Sequence, residues 1–167
     1  MTDLSPLNIS VVTVSDTRVE DTDKSGAVLT QRILSAGHNA YSKSIIKDDV
    51  YQLRAEVSAL IANADIHAVL LTGGTGFTAR DNTYLAIKPL LDVDIEGFGE
   101  LFRQLSYEEI GSSTIQSRAF AGLANNTIIF CLPGSPGACE TGWDKIISEQ
   151  LNSTHKPCNF TDKLRLN

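Results

Sequence analysis

The groups most able to do chemistry in this chain are concentrated in twelve residues, Thr72-Gly73-Gly74-Thr75-Gly76-Phe77-Thr78-Ala79-Arg80-Asp81-Asn82-Thr83. They follow the apolar run His67-Ala68-Val69-Leu70-Leu71, which reads as a buried strand. Three glycines in five positions let the backbone turn tightly and approach a ligand with no Cβ in the way. The interleaved threonines add hydroxyl donors, and Asp81 brings a carboxylate to the same loop just ahead of a helical stretch. An anion-binding loop delivered together with a carboxylate points to phosphate chemistry assisted by a metal ion. Taken alone, Gly73-Gly74-Thr75-Gly76 is equally compatible with a plain strand-to-helix turn.

Other chemistries fit less well. A P-loop needs Gly-Lys-Ser/Thr at the end of its glycine run, and this loop continues Gly76-Phe77-Thr78. A dinucleotide fingerprint needs glycines after the first strand, where Ser15–Arg18 has none. There is no Gly-x-Ser-x-Gly, and His38, His67 and His155 read as solvated or structural residues. Cys131, Cys139 and Cys158 lack metal-ligand spacing and read as small core hydrophobes. Carboxylates beside glycine loops remain. Asp16, Asp48 and Asp81 each follow a strand, and hard oxygen ligands of this kind suit Mg²⁺, which completes its shell with waters and substrate phosphates. Helix capping is the competing use of such an aspartate. Asp49 reads as the cap, Asp48 is open between the two uses, and Glu108-Glu109 and Asp21–Asp23 read as solvated faces.

These residues have to be positioned by the elements around them. Leu7–Val14 is an apolar, β-branched run of strand length, followed by a helix opened by Asp23-Lys24-Ser25-Gly26 and closed by Gly37. Residues 40–46 form a less apolar second strand, expected near an edge. A helix follows in which Val50, Leu53, Val57, Leu60, Ile61 and Ala64 share one face. The third strand is 67–71 and the third helix 82–91. From residue 95 the alternation breaks. Glu96–Glu100 reads as a loop entering a short helix, with Phe98, Phe102 and Tyr107 exposed, and Thr114–Ser117 is weakly helical. Residues 119–123 and 127–132 form a hairpin around Ala124-Asn125-Asn126. Leu132-Pro133-Gly134-Ser135 is a second glycine loop, and the helix after it has Cys139, Trp143, Ile146 and Ile147 inside. The tail beyond Asn152 is polar and expected to pack loosely. Strand–helix alternation predicts an α/β fold, a three-layer, mostly parallel sheet with helices on both faces. In such sheets ligands bind outside the carboxyl ends of the strands. The segments 15–18, 48–49, 72–83 and 132–135 all follow strands, so they converge on one rim.

Bulk properties narrow the field. A net charge of −6 argues against a nonspecific grip on nucleic acid or an anionic membrane. With 42% hydrophobic residues the 167-residue chain can fill the core of one domain, residues 1–167. No apolar run approaches the ~18–20 residues of a membrane span, and the N-terminus lacks a signal-peptide core. A cytoplasmic location is expected.

The glycine loop with Arg80-Asp81-x-Thr83, joined by Pro133-Gly134-Ser135, resembles the MogA/MoaB molybdopterin-binding family, which includes the related G-type domains of gephyrin. The resemblance spans nearly the whole chain, including Val14-Ser15-Asp16 and Asp23–Gly26. Residues 96–100, Gln116-Ser117-Arg118-Ala119 and 121–125 look most like the bacterial MoaB branch. It implies a role in molybdenum cofactor biosynthesis. Members bind molybdopterin and Mg-ATP, transfer AMP to the pterin's terminal phosphate and release pyrophosphate. By the same resemblance, Asp48 and Asp81 are the catalytic, metal-facing acids. Gly73, Gly74, Thr75 and Gly76 line the nucleotide side, Ser117 with Pro133, Gly134 and Ser135 hold the pterin phosphate, and Ser15 and Thr72 join the binding residues. It also implies a homotrimer or a dimer of trimers, working with other molybdenum cofactor assembly proteins. Two positions depart from the transferase pattern: Cys131 where asparagine is typical, and Tyr84 where proline is usual. Cysteine offers only weak hydrogen bonds to a ligand. The expectation is that the protein binds molybdopterin and adenylylates it slowly or not at all, either as a weak adenylyltransferase or as a carrier, and that Cys131→Asn strengthens it.

Overall fold

The computed structural model describes residues 4–164. Six strands form one sheet in the order β2-β1-β3-β6-β5-β4. β1 (Asn8–Val14) lies between β2 (Asn39–Ile46) and β3 (Ala68–Thr72), and β3 pairs with β6 (Thr127–Leu132), all in parallel. β5 (Phe120–Ala124) returns antiparallel to β6, and the two-residue β4 (Val93–Asp94) closes that edge. β2 is the opposite edge, as its mixed polarity predicts. The β5–β6 turn is made by Asn125 and Asn126 at φ 50° and 61°. The type I′ form of a two-residue hairpin needs both at positive φ, and asparagine tolerates that better than most residues.

Strand alternation divides the interior into two layers. Ile9, Val11, Ala68, Leu70, Ile128, Phe130 and Leu132 face a core completed by α1 (Lys24–Ser35), α4 (Glu96–Ile110) and α5 (Pro136–Gly142). Val12, Val14, Val69, Leu71, Ile129 and Cys131 face the other core, covered by α2 (Val50–Ala62) and α3 (Thr83–Ile87). Each side chain is nearly fully buried, and burying one such aliphatic side chain is worth about 1.5–3 kcal/mol. This is the predicted three-layer α/β arrangement.

Three expectations fail. The 96–100 segment is not a loop but the first turn of α4, a fifteen-residue helix. Phe98 and Phe102 lie in the core, Phe98 against Phe130, and only Tyr107 of the three aromatics is exposed. Gly99 is required there, because a Cβ would come within 2.6 Å of the Ala119 carbonyl. The third helix is also shorter than predicted. α3 ends at Ile87, and a 3-10 turn over Lys88–Leu90 takes over where Pro89 lacks the donor to continue. Nor is the tail loose: Leu164 is buried in the first core and Phe160 packs against it. α5 runs on through a π turn, Trp143–Ile147, which turns Trp143, Ile146 and Ile147 inward.

Candidate functional site

The carboxyl ends of β1, β2, β3 and β6 carry the predicted loops to one rim. After β3 the chain turns at Gly73 (φ +108°) and Gly74 (φ +65°), conformations that side chains oppose. The turn is pressed against its neighbours. A Cβ on Gly73 would lie 2.3 Å from the Val14 carbonyl, and one on Gly74 would lie 2.9 Å from Asp48 Oδ2. Gly73 N donates to Leu132 O at 3.0 Å and Thr72 Oγ1 to Pro133 O at 2.9 Å, tying the first glycine loop to the second.

Asp81 closes the loop on itself. Its Oδ1 accepts from Gly76 N at 3.1 Å, and its Oδ2 accepts from Thr78 N at 2.9 Å and Thr78 Oγ1 at 2.6 Å. Partial burial would push its pKa up, but these bonds outweigh it and hold the carboxyl below its ordinary range. Asp48 has the opposite character. Burial raises its pKa, the nearby Asp81 and Asp16 add to the rise, and the bonds with Asn82 offset it only in part. Its Oδ1 accepts from Asn82 N at 2.8 Å, and its Oδ2 faces Gly74. Capping of α2 falls to Asp49, which accepts from Tyr51 N and Gln52 N, so Asp48 is not held in place as a cap. Asp16 is ion-paired with Arg80 and accepts from Asp48 N at 3.2 Å, linking three of the rim loops.

A cavity of about 450 Å³ opens here. Ser15, Thr72, Gly73, Gly74, Thr75, Gly76, Asp81, Ser117, Pro133, Gly134 and Ser135 all line it, so the structure brings together most residues named from sequence. Asp48 stands behind Gly74 rather than in the wall. Among the described residues, no three or more His, Cys, Asp and Glu side chains cluster in a metal-holding arrangement. Mg²⁺ does not need such a cluster. It takes one or two carboxylates plus substrate oxygens, and the carboxylates of Asp81 and Asp48 fit that demand.

Cys131 has to be corrected. It is fully buried in the core beneath α2 and α3, and burial drives its thiol well above the ordinary range. The period-two alternation of β6 turns residue 131 to the opposite layer from Phe130 and Leu132, which face the side where the cavity lies. Cys131→Asn is therefore expected to bury an amide among apolar side chains. Thermal melting should show a loss of about 1–3 kcal/mol, with no gain in ligand affinity. Higher affinity at unchanged stability would reverse this assignment.

Sequence reasoning missed three residues. Asp23, read as opening α1 and also as part of a solvated face, does cap α1 through Gly26 N at 3.0 Å, but it is buried and accepts from Thr13 Oγ1 at 2.7 Å. Arg18 lines the cavity. Arg118 clamps the glycine loop from outside, donating to the carbonyls of Gly76 and Asp81 and stacking 4.8 Å from the Phe77 ring centre and 5.4 Å from that of Tyr84. Their one sequence signal was adjacency: Arg18 ends the first rim segment and Arg118 follows Ser117. Tyr84, the second departure from the family pattern, packs edge-on against Phe120 at 5.1 Å, beside the loop it follows.

Residues 10–153 match the family described as "Probable molybdopterin binding domain". The chain is 50% identical over 164 residues to Molybdenum cofactor biosynthesis protein B of Escherichia coli K12, covering 98% of this chain and 96% of that protein. It is 46% identical over 142 residues to the protein of the same name from Bacillus subtilis, covering 84% of each. A crystal structure of Molybdenum cofactor biosynthesis protein B superposes with a TM-score of 0.85 at 44% identity, over 88% of this chain and 92% of that one. The tungsten cofactor synthesizing protein MoaB from Pyrococcus furiosus superposes at 0.77 with 38% identity, over 86% and 92%.

Proposed function

The chain belongs to the family of molybdopterin-binding proteins of molybdenum cofactor biosynthesis, and from that premise we propose that it adenylylates molybdopterin at the rim cavity. A terminal phosphate oxygen of the pterin attacks the α-phosphorus of ATP. The bond from that phosphorus to the β-phosphate bridge breaks, and pyrophosphate leaves. The attacking phosphate is mostly dianionic at neutral pH, so the step needs no general base. It needs positioning and charge neutralisation. The N–H groups and hydroxyls of Thr72–Gly76 serve the nucleotide side, and Ser117 with the Pro133–Ser135 loop serves the pterin phosphate. A Mg²⁺ ion held by Asp81, with Asp48 beside it, would supply the positive charge that the phosphates require.

The observation that carries this reading is the pair of carboxylates flanking one glycine loop, Asp81 inside it and Asp48 against Gly74. With Cys131 in the core, the main ground for expecting slow turnover is gone. A second reading, a molybdopterin carrier without turnover, is favoured by the engagement of both Asp81 oxygens by their own loop. Purified protein incubated with molybdopterin, Mg²⁺ and ATP separates the two. The transferase releases pyrophosphate only when all three are present, and the carrier releases none.

The family resemblance also supports a homotrimer or a dimer of trimers, handing product to other cofactor assembly proteins. Phe98 and Phe102 cannot serve that contact. Tyr107, Ile110 and Ile115, exposed at 62%, 54% and 68%, form an apolar strip along α4 and the turn after it that can. Light scattering at micromolar concentration should give three or six times the 18.1 kDa chain mass, and a monomer would overturn the assembly.

A further inference from the structure

The cavity has to receive highly charged phosphates on a protein of net charge −6, and among the described residues one basic side chain lines it. That residue is Arg18. Its guanidinium donates to Ser25 Oγ at 3.0 Å and to the Gly134 carbonyl at 3.1 Å. Of its five N–H donors two are thereby engaged, leaving the rest of the fork for a ligand. Ser25 Oγ donates to the same Gly134 carbonyl at 2.7 Å, so arginine and serine together fix the second glycine loop. Asp23, its carboxylate fully buried, stands 3.8 Å from the guanidinium. It also accepts from the Gly26 N–H and the Thr13 hydroxyl and pairs with Lys43 at 3.1 Å. A buried, multiply held carboxylate gives the arginine a fixed orientation without using up its outer donors. On the chain side, Arg18 N donates to Ser15 Oγ at 3.0 Å, which ties the arginine's backbone to the other polar residue of the β1 loop.

We propose that Arg18 reads the phosphate of the substrate, a phosphomonoester dianion, and gives the pterin side of the cavity its selectivity for the phosphorylated form. The arginine sits at Gly134, in the loop assigned to the pterin phosphate, and not along Thr72–Gly76, so the dianion it meets belongs to the pterin and not to the nucleotide. This rests on the proposed function. Bidentate guanidinium–phosphate contacts are strong and geometrically selective, and lysine reproduces the charge without the fork.

The test is equilibrium binding of molybdopterin, dephosphorylated molybdopterin and ATP, each alone, to the full chain and to Arg18→Gln and Arg18→Lys. Arg18→Gln should weaken molybdopterin about ten- to a hundredfold and leave the dephosphorylated pterin and ATP within twofold. Arg18→Lys should fall between the two proteins, showing that charge and geometry both contribute and that the loss is not one of folding. Equal weakening of both pterins would assign Arg18 a purely structural role and overturn the inference, as would an unchanged affinity for molybdopterin. A loss confined to ATP would place the nucleotide there instead. If the unsubstituted protein binds neither pterin, the proposed function falls and this inference falls with it. If it binds both and Arg18→Gln changes nothing, the inference alone falls.

Discussion

Asp48→Asn and Asp81→Asn are expected to abolish adenylyl transfer alike, by at least about a hundredfold, while moving stability in opposite directions. Each amide keeps the shape of the acid and removes the charge that would face Mg²⁺ and the phosphates, an effect of the size seen when preorganised electrostatic groups are lost. The stability contrast comes from what each carboxylate does in the fold. Asp81 accepts three hydrogen bonds from Gly76 and Thr78, and an asparagine presents one oxygen and a donor in their place. Part of that group is exposed, so the cost should sit near 1 kcal/mol. Asp48 is ionised against its surroundings. Its folded pKa lies above the unfolded value of 3.8, so its contribution to stability is complete below that value and is lost as pH rises through the folded pKa. At neutral pH Asp48→Asn should therefore melt higher than the parent, and the gain should shrink once acid protonates Asp48. Pyrophosphate release together with melting at neutral and acid pH reads both. Turnover of either variant within twofold of the parent would remove the carboxylates from the mechanism.

Gly73→Ala should be strongly destabilising. The residue sits at φ +108°, and its Cβ would meet the Val14 carbonyl at 2.3 Å. Backbone strain of about 1–3 kcal/mol adds to about 1–3 kcal/mol for overpacking against main chain that cannot swing aside. Relief requires the loop to leave the end of β1, which would also pull Gly73 N from Leu132 O. Loss of ligand binding should accompany the loss of stability. Gly97→Ala is the control. Nothing lies within 4 Å of its Cβ, and it occupies α4, where alanine is the better helix former by roughly 0.5–1 kcal/mol. A Gly73→Ala protein as stable as Gly97→Ala would mean that the loop is not held as described.

The sheet and its rim were legible because apolar runs of strand length and the turn residues after them leave direct marks. The continuous apolar runs of β1, β3 and β6, each bounded by turn residues, and the paired asparagines are local signals, and local signals survive in one sequence. The first turn of α4 was not legible, because Gly97 and Gly99 read as loop, and only the part after Glu100 reads as a short helix. Its helix is paid for by burial of Phe98 and Phe102 and by the need for a Cβ-free approach to Ala119, both visible only once β5 is in place. Cys131 was misplaced because β6 is apolar on both faces, and which face lies towards the cavity is set by the helices packed on each side. Asp23 and Arg18 were passed over for a physical reason. Charged residues in a polar stretch look solvated until tertiary structure supplies Thr13, Lys43 and Gly134 as partners.

The fate of the two ends of ATP tests the central claim most directly. Protein, molybdopterin and Mg²⁺ are mixed with ATP labelled at the α-phosphate or at the γ-phosphate, and the pterin is recovered. The account predicts that the α label appears on the pterin in step with pyrophosphate release, and that the γ label leaves entirely as pyrophosphate. Transfer of the γ label to the pterin, with ADP as the other product, would contradict it.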